Sequence, residues 1–230
     1  MSFFLDSPLV FFDNLINEGE MTKSNNREVI PFMEQILREI KKSDKYKVIC
    51  RFFDSSHCAD TWLVGNCMEM LKNNEFKEFQ DWVCYYFNTQ YYKELNKATH
   101  LLFREVTNKK LNYTIVDCFE CLLTFILLTS WDGMQAERKA INYLKRKSLN
   151  GNFRFSNHDE DVEYGIDIFK EGGNVVAIQV KPISFFNKIY NTEYDTNTYK
   201  LKKYKKHNPN VQVFYMFYDK EFNFTFQEVA

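Results

Sequence analysis

Apolar positions recur every three or four residues over the first 130 residues and change to an alternating pattern after Asn150. The first spacing is that of helices with one buried face, and the second is that of strands. Phe32, Ile36, Leu37 and Ile40 predict a helix over Pro31 to Lys42. Before it, Ser7-Pro8 can cap a helix that Gly19 ends. Ala59 to Leu71 and Glu75 to Phe87 predict two more helices. The second carries Phe76, Phe79, Trp82, Val83 and Tyr86 along one side, a stripe that suits a core better than a base-stacking platform. Another helix is expected from Tyr91 to Glu105. Val116 to Leu128 is apolar nearly all round, the mark of a buried central helix. Lys47 to Phe53 fits either a strand or a turn. Asp132-Gly133 interrupts the pattern, and Gln135 to Lys147 resumes it with Ala136, Ala140, Ile141 and Leu144 on its apolar face.

Beyond Asn150, Phe153 and Phe155 predict a strand. The acidic run Asp159, Glu160, Asp161 and Glu163 reads as a solvated loop. Tyr164 to Pro182 holds two β-branched runs about Gly172-Gly173, a β-hairpin that proline then stops. Thr196 to His207 predicts a helix, Val211 to Tyr218 an apolar strand and Phe222 to Val229 a last strand at an edge. Strand, helix, strand suggests a crossover to a parallel neighbour. The expectation is an α/β (α+β) architecture: a central mixed sheet, helices starting near Gln135 and Thr196 packed on it, and a helical N-terminal part. Residues 1–130 and 131–230 would be its two portions, packed directly as one compact unit because nothing between them reads as a linker.

The hairpin carries the chemistry. Asp167 lies on its first strand. Gln179 and Lys181, two residues apart, share a face of its second. A loop centred on Gly173 sets Asp167 opposite Gln179, whereas a two-residue Gly-Gly turn sets it opposite Ile178 and flips its face. The expected register is the first, with Gly172, Gly173 and Asn174 in the loop; in it a carboxylate, an amide oxygen and an ammonium converge, the set that metal-assisted phosphodiester hydrolysis requires.

Ile166-Asp167, eleven intervening residues and Gln179-x-Lys181 together resemble the PD-(D/E)xK nuclease superfamily, the fold of many type II restriction endonucleases. Gln179 stands where that pattern usually has an acid, and Ile166 where it usually has proline. The Gln-Val-Lys-Pro ending is similar to the MjaI-type group. The resemblance implies an endonuclease that uses Mg²⁺ to hydrolyse double-stranded DNA at a short site, usually as a homodimer. It implies Asp167 and Gln179 as metal ligands and Lys181 as the group that orients the attacking water. Glu137, on the helix before the first strand, would supply a further acid, although it could equally pair with Arg138 or Lys145 on the surface. Glu163 is the member of the acidic run placed to reach the metal.

Other features add less. A net charge of −1 argues against a sequence-independent nucleic-acid coat. Lys200, Lys202, Lys203, Lys205 and Lys206 crowd one helix, either as a solvated face or as phosphate contacts; Lys200, Lys202, Lys203 and Lys206, with His158, are the candidate DNA-binding residues. Six cysteines include one C-x-x-C, Cys118 to Cys121, inside a predicted helix and with no second pair. They read as core thiols of a reducing, cytoplasmic compartment rather than a zinc set. The first residues do not form a signal peptide, and no apolar run is long enough to span a bilayer. Neither a membrane nor an organic cofactor is expected. The alternatives are a DNA repair or junction-cleaving nuclease, a non-catalytic DNA- or partner-binding module on the same fold, or a helical interaction protein with a purely structural hairpin.

Overall fold

The structure, a computed structural model, describes residues 29–53, 61–147, 151–186 and 196–229. The helix expected at Ser7 to Gly19 lies outside the described residues. The chain divides into two compact units, Met1–Asp132 and Gly133–Ala230.

The described part of the first unit is helical. Helix α1 (Val29–Lys42) is followed by α2 (Asp44–Ile49), whose first turn is capped by Ser43 accepting from the Tyr46 N–H at 3.1 Å. A 3₁₀ turn, Cys50–Phe52, continues it. Lys47 to Phe53 is therefore neither strand nor simple turn, because the Ser43 cap and the buried Tyr46 and Ile49 recruit its ambiguous apolar residues to a helix. The helix expected over Ala59 to Leu71 is broken into α3 (Thr61–Val64) and α4 (Cys67–Asn73). Gly65 between them has φ +78°, and Asn66 caps α4 through the Glu69 N–H. A Cβ on Gly65 would lie 2.7 Å from the Tyr91 ring, so the break favours glycine for space as well as for conformation. Helix α5 (Phe79–Phe87) starts four residues later than expected, and its stripe of Phe79, Trp82, Val83 and Tyr86 is buried core.

Helix α6 (Gln90–Asn108) leads to α7 (Ile115–Thr124), begun by a reciprocal cap in which Thr114 and Asp117 each accept the other's N–H. A π-helical turn, Phe125–Thr129, follows, and then α8 (Ser130–Lys147). Asp132-Gly133 does not interrupt α8. A mid-helix glycine costs about 1 kcal/mol against alanine, which the burial of Trp131, Met134 and Ala136 on the same helix exceeds.

In the second unit five strands lie in the order β1 (Asn152–Phe155), β2 (Ile168–Glu171), β3 (Val176–Pro182), β4 (Gln212–Tyr218), β5 (Phe224–Glu228). Only β3 and β4 are parallel; the other neighbours are antiparallel, so the sheet is mixed. Helix α9 (His158–Tyr164) joins β1 to β2, and α10 (Thr196–His207) precedes β4. The acidic run is thus a helix and not a loop. Asn157 accepts the Glu160 N–H and Glu160 returns the bond to the Asn157 N–H, both at 2.8 Å, which starts a helix despite the like charges.

Alternation along β3 divides the core. Ile178 and Val180 pack with Ala136, Ala140, Ile141 and Leu144 of α8. Ala177 packs with Leu201 and Tyr204 of α10 and with Val213 and Phe217 of β4. The two helices therefore cover opposite faces of the sheet.

Candidate active site

Two glycines in the left-handed region, Gly172 at φ +79° and Gly173 at φ +61°, form the β2–β3 loop. Ile168 pairs with Ile178, Phe169 with Ala177 and Lys170 with Val176, the register of a loop centred on Gly173. Asp167, the residue before β2, donates its N–H to the Ile178 carbonyl at 2.9 Å, and its Oδ2 accepts the Val180 N–H at 2.7 Å. These two bonds bracket Gln179. The carboxylate takes the place that a backbone carbonyl would occupy in a continued ladder, so it lies at the mouth where β2 and β3 part.

The chain reaches this point through the end of α9. Gly165, at φ +67°, donates to the Asp161 carbonyl, and the Ile166 N–H donates to the Glu160 carbonyl at 3.0 Å. This closing turn of a helix uses orphan carbonyls of the last turn. It also accounts for Ile166: the N–H is employed, and proline has none to give. The Ile166 side chain is fully buried against the α10 face. Arg154 of β1 braces the same corner with a forked pair to Glu160, at 2.7 and 2.8 Å, and a 2.6 Å bond to Glu171. The Glu160 and Glu171 bonds hold the Arg154 guanidinium well above its ordinary range despite some burial. Sequence reading passed over this bracing, although Asn157-x-x-Glu160 is the signature of a capped helix start.

Asp167 and Gln179 are buried, at 7% and 2% exposure. Gln179 Oε1 has no hydrogen-bond partner among the described residues. Lys181, half-buried, lies two residues on along the same face, its Nζ 5.8 Å from the centre of the Phe185 ring. Glu137 is also buried, at 6%, but on α8, which covers the Ile178 and Val180 face of β3, whereas Gln179 and Lys181 alternate to the α10 face beside Tyr215 and Phe217; the structure does not bring Glu137 onto their face. Glu163 is half-exposed on α9 and pairs with Lys203 of α10 at 3.0 Å. That bond, with a smaller contribution from the Tyr164 hydroxyl, holds the Glu163 carboxyl below its ordinary range. No three His, Cys, Asp or Glu side chains gather in a metal-binding arrangement among the described residues.

A metal fits this donor set on one observation. A buried amide oxygen that accepts from no described group costs free energy, and on the residue that the two Asp167 bonds bracket it suits a hard cation. Mg²⁺ takes only one or two carboxylates and keeps much of its shell for water and phosphate oxygens, so a cage of three acids is not required.

On α10 the lysines have separate fates. Lys200 donates to the Val162 carbonyl at 2.7 Å, Lys203 binds Glu163, and Lys205 donates to the Val211 carbonyl. Tyr199, Lys202, Lys203, Lys206 and His207 line a shallow groove, and their spacing places them on one helix face. The His158 side chain lies outside what is described. The five described cysteines carry free thiols, Cys67, Cys84, Cys118 and Cys121 among them buried; burial pushes the Cys67 thiol up to about 12. No helix among the described residues is long and apolar enough to cross a membrane.

Compared with known proteins, residues 46–223 match the family model described as MjaI restriction endonuclease. No curated protein and no solved structure matches the chain.

Proposed function

This chain belongs to the MjaI restriction endonuclease family, and on that premise we propose that it is a Mg²⁺-dependent type II endonuclease that hydrolyses double-stranded DNA at a short specific site. The observation that carries the proposal is that Asp167, through its N–H donated to the Ile178 carbonyl and its carboxylate accepting from the Val180 N–H, brackets Gln179, whose buried Oε1 has no hydrogen-bond partner among the described residues, with Lys181 two residues further on.

Asp167 and Gln179 would hold the metal, and Glu137, on the helix that covers the opposite face of the sheet, would contribute only by way of water at the strand ends. Glu163, tied to Lys203, would join only by giving up that pair. When bound, Mg²⁺ supplies positive charge to the phosphate oxygens and makes a bound water more acidic. The remaining work belongs to the chain. The Val180 N–H fixes the Asp167 carboxylate in one orientation. Lys181 orients the attacking water and steadies the negative charge that develops on the phosphate. Lys202 and Lys206, with Lys200 and Lys203 where they leave their present partners, would meet backbone phosphates, as would His158. Such contacts position a duplex without reading its sequence. A homodimer would present two such sites, one to each strand of a symmetric sequence.

Incubation with a mixed-sequence plasmid is the test. Discrete fragments with Mg²⁺ and none with EDTA are expected. Cutting confined to branched DNA would replace restriction by repair, and intact plasmid under every condition would overturn the proposal.

A further inference from the structure

One surface of the second unit plays no part in the site described above. Lys139, Tyr143 and Lys147 are four residues apart on α8 and share one stripe. Phe224 and Phe226 are two apart on β5, so they share one face of it, and Phe222 lies in the turn just before. The stripes interlock: the Lys139 ammonium sits 3.5 Å from the centre of the Phe222 ring, Tyr143 packs on Phe224 and Phe226, and Lys147 lies 5.8 Å from the Tyr143 ring. Lys139 and Lys147 are exposed, and Phe226 is 46% exposed.

Phe222 is held in a conformation that bulky side chains avoid, at φ +60°. The Asp219 carboxylate keeps the turn by accepting the Glu221 and Asn223 N–H groups. Phe222 then stacks on Tyr218 at 5.5 Å with the planes 8° apart. Strain retained in this way marks a feature that is put to use. Here it sets a ring under Lys139, in reach of α8 but off the sheet core.

Charge says what the surface meets. From Gly133 to Lys147, α8 carries five bases, Arg138, Lys139, Lys145, Arg146 and Lys147, against one acid, the buried Glu137. The acid on the same face of β5 is Glu228, at its far end, and the Phe222 turn adds Asp219 and Glu221 against Lys220, which leaves bases in the majority. A second copy of this chain would bring like charge against like. A polyanion would not. Lys139 and Lys147 are about 12 Å apart along the helix axis, the rise of three to four phosphates on one strand of a duplex.

The geometry points to this α8–β5 face as a second DNA-backbone contact, in which the aromatic side chains hold Lys139 and Lys147 ready for two phosphates. It rests on the nuclease reading for its ligand but not for its measurement. An ammonium resting on a ring has already lost much of the freedom that a lysine gives up on binding. The face lies on the α8 side of the sheet and the Lys202–Lys206 groove belongs to the helix on the other side, so the two contacts are separable.

The test is binding of a mixed-sequence DNA duplex in EDTA, followed by fluorescence anisotropy over a range of salt. Each phosphate contact contributes about 0.9 to the slope of log K against log salt. The double variant Lys139→Ala/Lys147→Ala should lose nearly two from that slope and bind several-fold more weakly at moderate salt. Lys139→Arg should keep the slope, and the charge-matched Lys77→Ala/Lys109→Ala should leave it unchanged. An unaltered slope in the first double variant overturns the inference. So does a change in sedimentation with the slope intact, which would make the face a contact between copies. Binding by the unaltered protein with the expected loss in the double variant, but no cutting by the unaltered protein when Mg²⁺ is restored, would reject the nuclease reading and leave this one standing.

Discussion

The two units treat buried polar atoms differently. In the helical unit they are answered. Trp82 Nε1 donates to the Leu127 carbonyl at 3.1 Å, the Tyr86 hydroxyl to the Val64 carbonyl at 3.0 Å, and Tyr46 shares a 2.8 Å bond with Thr129. Lys45 reaches both Asp117 and the buried Glu120, at 2.8 and 2.7 Å. In the sheet unit, Gln179 Oε1 is buried and accepts from no group among the described residues. Native interiors tolerate few such atoms, and where one persists beside a carboxylate it points to a ligand. The described polar groups of the helical unit go to holding it together; in the sheet unit the Gln179 oxygen does not.

The largest expected effect tests that difference directly. Lys181→Ala should lower plasmid cutting by about a thousandfold, roughly 4 kcal/mol of transition-state stabilisation, with DNA binding in EDTA unchanged. Asp167→Asn keeps an oxygen for the Val180 N–H and removes only the charge, so a similar loss of cutting with an unchanged Tm is expected. If cutting survives in both, the hairpin is structural and the contrast between the units collapses.

The next effect falls on stability in the other unit. Lys45→Met leaves Glu120 buried without its lysine. Breaking a buried pair costs about 3–5 kcal/mol, and partial exposure of Lys45 reduces this to about 2–3 kcal/mol. Denaturant titration should show the loss, with cutting per folded molecule unchanged. The pH dependence has a definite sign. Burial pushes the Asp117 carboxyl up, but bonds from Lys45 and Thr114 outweigh it and leave it below its ordinary value. Its contribution is therefore complete above the ordinary Asp range and is lost as pH falls through the lower folded value. In Lys45→Met that acid-dependent part should shrink.

A smaller effect should run in opposite directions for fold and function. Gln179→Leu removes a buried oxygen that has no donor, which typically costs about 1–3 kcal/mol. The variant should melt about 2–4 °C higher, the shift for about 1 kcal/mol in a chain of this size, while cutting falls. A lower Tm would mean that the amide is already satisfied and that its oxygen is not held for a ligand.

How much of this could be read from the chain depended on what kind of signal each residue gives. The hairpin, α10 and β4 were legible because period, glycine loop and proline stop all agree on them. Composition allows either loop; the loop centred on Gly173 was expected because it alone sets Asp167 and Gln179 on one face, and the observed strand pairs have that register. The misreadings share a cause. Asp132-Gly133 and the acidic run contain residues that disfavour helix on their own, but neighbours overrode them, buried side chains in one case and the Asn157–Glu160 cap in the other. Gly65 was the reverse, a single residue that divides a helix because Met70 and Tyr91 fill the space beside it. Of the proposed site, Asp167, Gln179 and Lys181 follow from spacing. The surroundings of Glu137 and Glu163 do not, because those depend on how helices pack.

Glu163 supplies the smallest expected effect and the sharpest limit on the site. Its carboxylate binds Lys203 on the exposed seam between α9 and α10. The bond lowers the Glu163 carboxyl and raises the Lys203 ammonium. A depressed carboxyl favours the folded state above its ordinary range, and the gain disappears as pH falls through the depressed value. Since both side chains are exposed, solvent and salt screen the pair. Glu163→Gln should thus leave stability at neutral pH and the Mg²⁺ concentration for half-maximal cutting nearly unchanged, and it should slightly flatten the acid limb of the unfolding curve. If instead the variant needs tenfold more Mg²⁺, Glu163 must leave Lys203 to join the metal. The boundary between a group spent on structure and one held for chemistry would then run through α9 rather than at the mouth of the hairpin.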